Sequence, residues 1–177
     1  SQPATIRFVD SQGAPVAGVE LTAGYRYLPD SWSHSINRTS DQDGLVHLDQ
    51  ARDPVPVSVA KVKADGFQEA SQSTLVLQQG EVYEWVLKQD VPISGLVVDG
   101  ATGAPIAGAE IAKVYEQGRG FVGDIDGERF AVSDAAGRFT LHGLSTERYY
   151  YFLVRAPGYG TELLTRVTHG DAPLSVE

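Results

Sequence analysis

Val97-Val98-Asp99-Gly100-Ala101-Thr102-Gly103-Ala104-Pro105-Ile106-Ala107-Gly108-Ala109-Glu110-Ile111 is a second writing of Phe8-Val9-Asp10-Ser11-Gln12-Gly13-Ala14-Pro15-Val16-Ala17-Gly18-Val19-Glu20-Leu21. Two further landmarks recur in the same order, about ninety residues apart. Ser40-Asp41-Gln42-Asp43-Gly44 returns as Ser133-Asp134-Ala135-Ala136-Gly137, and Ala64-Asp65-Gly66-Phe67 as Ala156-Pro157-Gly158-Tyr159. A repeat of this period means two copies of one structural unit. The copies then serve as controls for each other. A residue type kept in both serves the shared fold, and one present in a single copy marks where private function could lie.

The 177 residues therefore divide into a first unit over 1–89 and a second over 90–177. Lys88-Gln89-Asp90-Val91-Pro92 reads as a short, stiff connection between them. Thr5 to Val9, Val19 to Tyr27, Val55 to Ala64 and Glu81 to Leu87 alternate or are β-branched, with Gly, Pro, Asp and Ser clustered between. Ile93–Val98, Ala109–Tyr115, Arg138–Leu141, Tyr149–Ala156 and Thr161–Val167 answer them in the second copy. No long stretch has helical apolar spacing. The expected fold is all-β: two tandem seven-stranded antiparallel Greek-key sandwiches. The second copy stops at Ser175-Val176-Glu177 where the first runs on through Trp85-Val86-Leu87-Lys88, so its last strand reads as clipped.

The landmarks have mechanical readings. In Gly-Ala-Pro-x-Ala-Gly, proline presets φ and the glycines allow positive φ, so the chain turns tightly between strands. Asp41 and Asp134 open turns that close at Gly44 and Gly137, their carboxylates placed to accept from backbone N–H groups two residues on.

Gly95-Leu96-Val97-Val98-Asp99 through Ala109, Ser133-Asp134-Ala135-Ala136-Gly137-Arg138-Phe139-Thr140-Leu141 and Ala156-Pro157-Gly158-Tyr159 together resemble carboxypeptidase regulatory-like domains. That group has a transthyretin-like (prealbumin-like) sandwich and is similar to collagen-adhesin B-type repeats. The resemblance covers nearly all of the second copy and, more loosely, the first. It implies an accessory module of a secreted, periplasmic or cell-surface bacterial protein. The B-type repeats often carry a Lys–Asn or Lys–Asp isopeptide bond catalysed by a Glu. Here the first strand has Arg7 and the equivalent 93–98 has no lysine, while Lys63 and Arg155 stand where the acid would be. A guanidinium replaces neither the amine nucleophile nor the acid, so the cross-link is not expected.

The bulk numbers agree with a solvent-facing module. Net charge is −9, with seven basic against twelve acidic residues in 1–90 and seven against eleven in 91–177. That balance argues against a nucleic-acid or anionic-membrane face. The absence of cysteine excludes disulfides and thiol chemistry. No run approaches a membrane span, and without a signal segment or initiator Met the chain reads as a mature or excised fragment. His34, His47, His142 and His169 lack metal-site spacing, and neither a G-x-S-x-G elbow nor a P-loop occurs. No catalytic constellation emerges, and no cofactor is expected beyond a weak case for Ca²⁺.

Three places differ between the copies. Tyr25, Tyr27, Asp30, Trp32 and His34 lie in an aromatic insert private to the first copy. Rings beside polar tips suit a sugar, and equally the cover of a small core or a protein contact. Gly118-Arg119-Gly120-Phe121-Val122-Gly123 matches G-x-G-x-x-G, but the acidic, helix-poor residues that follow would repel phosphate. Within that acidic stretch Asp124, Asp126 and Glu128 are the candidate Ca²⁺ ligands, without the full EF-hand pattern. Finally, aligning Phe152, Val154 and Ala156 with Ala60, Val62 and Ala64 turns those inward. Tyr149, Tyr151 and Leu153 then align with Val57, Val59 and Lys61 on the outer face and become candidate partner contacts. The functional expectation is a structural or protein-interaction module beside neighbouring domains. A carbohydrate-binding module using the insert is the alternative, and an accessory piece of a peptidase or other hydrolase the third reading.

Overall fold

The computed structural model describes residues 2–28, 31–49, 54–122 and 127–177, with backbone alone at 26–28, 31–34 and 55. It divides into two compact units, Ser1–Asp90 and Val91–Glu177. Both are built of strands. Among the described residues the only helical piece is a single 3-10 turn at His169–Asp171.

Among the described residues the first unit has seven strands in two sheets. β1 (Ala4–Val9), β4 (Leu45–Leu48) and β7 (Val82–Val86) form one, in the order β4-β1-β7. β2 (Glu20–Leu28), β3 (Ser31–Thr39), β5 (Val55–Lys63) and β6 (Ala70–Leu77) form the other, in the order β3-β2-β5-β6. Alternate residues of each sheet meet in one core. Ile6, Phe8, Leu48 and Trp85 come from the smaller sheet, and Leu21, Val57, Val59, Val62 and Leu77 from the larger. Burying each such side chain contributes about 1.5–3 kcal/mol, so two half-apolar sheets gain by closing on one another.

The second unit repeats the plan. β8 (Ile93–Val97), β12 (Arg138–Leu141) and β15 (Leu174–Val176) make a three-stranded sheet, ordered β12-β8-β15. β9 (Glu110–Glu116), β10 (Gly120–Phe121), β11 (Glu128–Val132), β13 (Tyr150–Arg155) and β14 (Glu162–Val167) make the other. There β10 and β11 both pair with β9, at different points along it. Ile93, Val97, Phe139 and Leu141 face Ile111, Phe152, Val154 and Val167 across the core.

One expectation is corrected in both units. The strands are not all antiparallel: β1 runs parallel to β7, with Thr5 opposite Val82 through Val9 opposite Val86. β8 likewise runs parallel to β15, with Gly95 opposite Leu174 and Val97 opposite Val176. Parallel neighbours need a long crossover, and here the whole unit is the crossover between its first and last strands.

The landmarks hold the turns. Asp41 Oδ1 accepts from the N–H groups of Asp43 and Leu45 at 3.0 and 2.9 Å, and Asp134 Oδ1 from those of Ala136 and Arg138, both at 2.9 Å. Buried Ser40 donates to the carbonyl of Val16 and accepts from the N–H of Val19, both at 2.9 Å. Ser133 does the same with Ile106 at 2.7 Å and Ala109 at 2.9 Å. Gly44 and Gly137 close these turns at φ of 74° and 73°, and a Cβ there would strike the carbonyl oxygens of Phe8 and Val97. Both φ and space demand glycine.

The phasing of β5 is also corrected. Val57 and Val59 are core residues, each 1% exposed. Thr22 pairs with Lys61 and Ala23 with Val59, so Ala60 is an unpaired bulge residue. A bulge reverses the inside–outside alternation on one side of itself, which a sequence alignment without it cannot register.

Candidate functional site

In β13 the alternation is regular. Tyr150, Phe152 and Val154 point into the core, leaving Tyr149, Tyr151 and Leu153 toward the outer face. Two bulges flank Tyr151. Tyr151 pairs with Tyr115 and Phe152 with Lys113, which leaves Val114 of β9 as an extra residue. On the other side Tyr150 pairs with Val167 and Phe152 with Leu164, so Thr165 and Arg166 of β14 together oppose Tyr151. Arg166 takes φ of 54°, the one non-glycine residue with positive φ among those described.

These kinks gather an aromatic group. The ring centroids of Tyr115 and Tyr151 lie 4.8 Å apart, those of Tyr115 and Tyr149 5.9 Å, and those of Tyr149 and Tyr151 6.1 Å. Phe121, 84% exposed, sets an edge against Tyr115 at 5.7 Å. The Arg166 guanidinium lies 4.6 Å from the centre of the Tyr149 ring. A hydrogen bond with Tyr149, then desolvation, raises the Tyr115 phenol above the ordinary tyrosine range. The geometry thus brings Tyr149 and Tyr151 together with three residues the sequence did not single out for this face: Tyr115, Phe121 and Arg166. Leu153 sits two residues along, opposite Leu163.

Beneath this face, on the inner side, lies a cluster that sequence reading missed. Lys113 is 2% exposed and Glu116 4%. The Lys113 ammonium is 3.5 Å from both Glu116 and Glu128, and 4.9 Å from the Phe130 ring centre. Arg148 donates a short hydrogen bond to Glu116, and Arg119 lies 3.6 Å away. Three cations thus meet two carboxylates at one end of the core, so that the buried Lys113 and Glu116 are each paired, as buried charges must be. The legible signal was a lysine at the inward position of β9, where the first copy has Ala23.

The other candidates are dispersed. Tyr25 packs against the core of the first unit, and its hydroxyl donates to the Asp49 carbonyl at 3.3 Å. Tyr27 lies on β2, and Trp32 and His34 on β3, so the insert is a hairpin, with Tyr25 opposite His34. Asp30, Asp124 and Asp126 lie outside the described residues. Glu128 faces Lys113. Among the described residues no three histidine, aspartate or glutamate side chains converge as a metal-ligand set.

With this architecture in hand, comparison with known proteins bears on the second unit. Residues 92–176 match the carboxypeptidase regulatory-like domain family. That is the family the repeat landmarks resemble. No curated protein matches the chain. Among solved structures, a streptococcal ancillary pilin shares 16% identity at a TM-score of 0.48, over 99% of this chain and 61% of the pilin. This chain thus spans about three fifths of that pilin's length. A variant of the shaft pilin SpaA from Lactobacillus rhamnosus GG shares 13% identity at 0.43, over 99% of this chain and 96% of the pilin. The pilus backbone RrgB from Streptococcus pneumoniae shares 14% at 0.35, over 93% and 57%.

Proposed function

We propose that this chain is a non-catalytic, tension-transmitting segment of a larger exported bacterial protein. Each unit is read as a seven-stranded Greek-key sandwich of the transthyretin-like kind, with β10 and β11 as one interrupted edge strand. The observation that carries the reading is the parallel pairing of first and last strands, present in both units.

A chain that enters on β1 and leaves along β7 in the same direction enters and exits at opposite ends of that sheet. Force along the polypeptide then loads the ladder bonds between the two strands together, in shear. In unit one the flanking bonds include Thr5 N–H to the Glu81 carbonyl at 3.2 Å and Leu87 N–H to the Val9 carbonyl at 2.8 Å. Trp85 adds side-chain resistance, its ring 6.2 Å from Phe8 within the core. In unit two Val98 N–H donates to the Val176 carbonyl at 2.9 Å. The regulatory-like match supports an accessory role beside other domains. The partners assigned are therefore neighbouring domains of the same polypeptide or of another exported protein. Among the described residues no helix is long and apolar enough to cross a membrane.

Stretching single molecules between handles at residues 2 and 177 tests this. Two discrete unfolding steps are expected, each releasing roughly 30 nm of chain at about 3.4 Å per residue. Smooth extension without steps would refute a load-bearing role.

A further inference from the structure

We propose that the outer face of the second unit's larger sheet is a binding site for a carboxylate-bearing saccharide. The inference goes beyond the tensile role, which does not require it. Its basis is a juxtaposition of one exposed and three half-buried rings with one held-out cation. Phe121, Tyr115 and Tyr151 pair across three strands, and Tyr149 and Arg166 complete the row.

The shared fold does not demand this group. In the first unit the equivalent row pairs Gly24 with Ser58, where the second pairs Tyr115 with Tyr151, so it carries no ring there. The bulge of β14 has a counterpart between β5 and β6, but the extra residue Val114 in β9 and the left-handed Arg166 are found, among the described residues, in the second unit alone. Bulges re-aim side chains, and strained backbone concentrates at functional positions. Among the described residues the Arg166 guanidinium makes no ion pair; its contact is the Tyr149 ring.

The chemistry selects the occupant. Ring faces pack on the apolar C–H faces of a pyranose, and tyrosine hydroxyls meet its hydroxyls. A guanidinium fork matches a carboxylate in a bidentate way. The adjacent row, Arg129, Ala112, Leu153 and Leu163, adds a second cation, and neither row contains a carboxylate. Two arginines with no carboxylate in either row favour an anion over these two rows. Rings that bury about 150–250 Å² each when fully covered, and already stack on one another, present less than the roughly 800 Å² per partner of a stable protein interface. That size fits a few sugar residues.

The test titrates the 177-residue chain with tetrasaccharides of galacturonate, mannuronate and hyaluronan, followed by calorimetry and by NMR of the tyrosine rings. Maltotetraose and tetraglutamate serve as comparators. Saturable binding of at least one uronate is expected, with shifts at Tyr149 and Tyr151 and at least tenfold preference over both comparators. Arg166→Gly, which suits φ of 54° and so keeps the fold, is expected to weaken binding tenfold or more without lowering the melting temperature. Phe121→Ala, at an exposed position, is expected to weaken it threefold or more. Failure of all three uronates, equal affinity for maltotetraose, tighter binding of tetraglutamate, or an unchanged affinity in a folded Arg166→Gly would each overturn the proposal.

Discussion

Replacing Glu116 by leucine removes the carboxylate on which Lys113, Arg119 and Arg148 converge. The two arginine side chains are 31% and 25% exposed and can turn to water, but the Lys113 side chain is 2% exposed and cannot. Lys113 would keep its ion pair with Glu128, whose side chain is 39% exposed. Breaking a buried pair by removing one partner costs about 3–5 kcal/mol. For a unit of this size each kcal/mol lowers the melting temperature by about 4–8 °C, so Glu116→Leu should lower the second unit's transition by roughly 12 °C or more. Lys113→Met alone leaves Glu116 with its arginines and should cost less, about 1–3 kcal/mol. The double variant Lys113→Met/Glu116→Leu should recover most of the loss. Apolar replacement of a whole buried pair is often neutral, and Ala23 fills the equivalent place in the first unit. Differential scanning calorimetry of the four proteins gives the coupling energy, expected at about 2 kcal/mol or more. The first unit's transition should not move. A Glu116→Leu protein within about 0.5 kcal/mol of the parent, or a double variant worse than the sum of the singles, would show that the charges do not act as one buried cluster.

Ser133→Ala removes a buried hydroxyl that bridges the Ile106 carbonyl and the Ala109 N–H. Chemical denaturation should show the second unit losing about 1–3 kcal/mol. Ser40→Ala should do the same to the first unit, and a difference between the two would mean that the shared landmark is not a shared strut. Two exposed carboxylates predict the acid limb of stability. Backbone and hydroxyl donation from Thr168 holds Asp171 below the ordinary aspartate range, and the Thr102 N–H, then its side chain, do so for Asp99. A depressed folded pKa gives stability that is complete above the unfolded value of about 3.9 and is lost as pH falls through the lower folded value. Asp171→Asn should therefore flatten the fall of the second unit's melting temperature below about pH 4. Parallel slopes for variant and parent would contradict the assignment.

What was legible in the sequence was local. Asp41 and Asp134 bond N–H groups within four residues of themselves, so their turn chemistry can be read from spacing. The outward direction of Tyr149 and Tyr151 follows from period two on one uninterrupted strand. The misreading of Val57 and Val59 has a single cause, the bulge at Ala60, which no residue type announces. Their partners across the sheet decide it. The parallel pairing of β1 with β7 joins strands more than seventy residues apart and leaves no periodic trace. The charge cluster is an intermediate case. Lys113 stood in the sequence at an inward position of β9, yet its partner Glu128, and the Arg148 that bonds Glu116, arrive from two other places along the chain. The aromatic face was half visible, because Tyr115 and Arg166 reach it only through the bulges of β9 and β14.

The direction of loading tests the tensile account most directly. Pulling the first unit from residue 2 and from residue 87 loads the parallel β1–β7 pair in shear. Pulling from residues 2 and 79 grips the same end of both strands, where Gly80 N–H meets the Pro3 carbonyl at 3.2 Å, and peels them apart. Forced unfolding reports the barrier crossed under load, so the two geometries sample the same fold through different barriers. The account predicts a clearly higher unfolding force for the shear geometry at one loading rate. Equal forces in the two directions would contradict it.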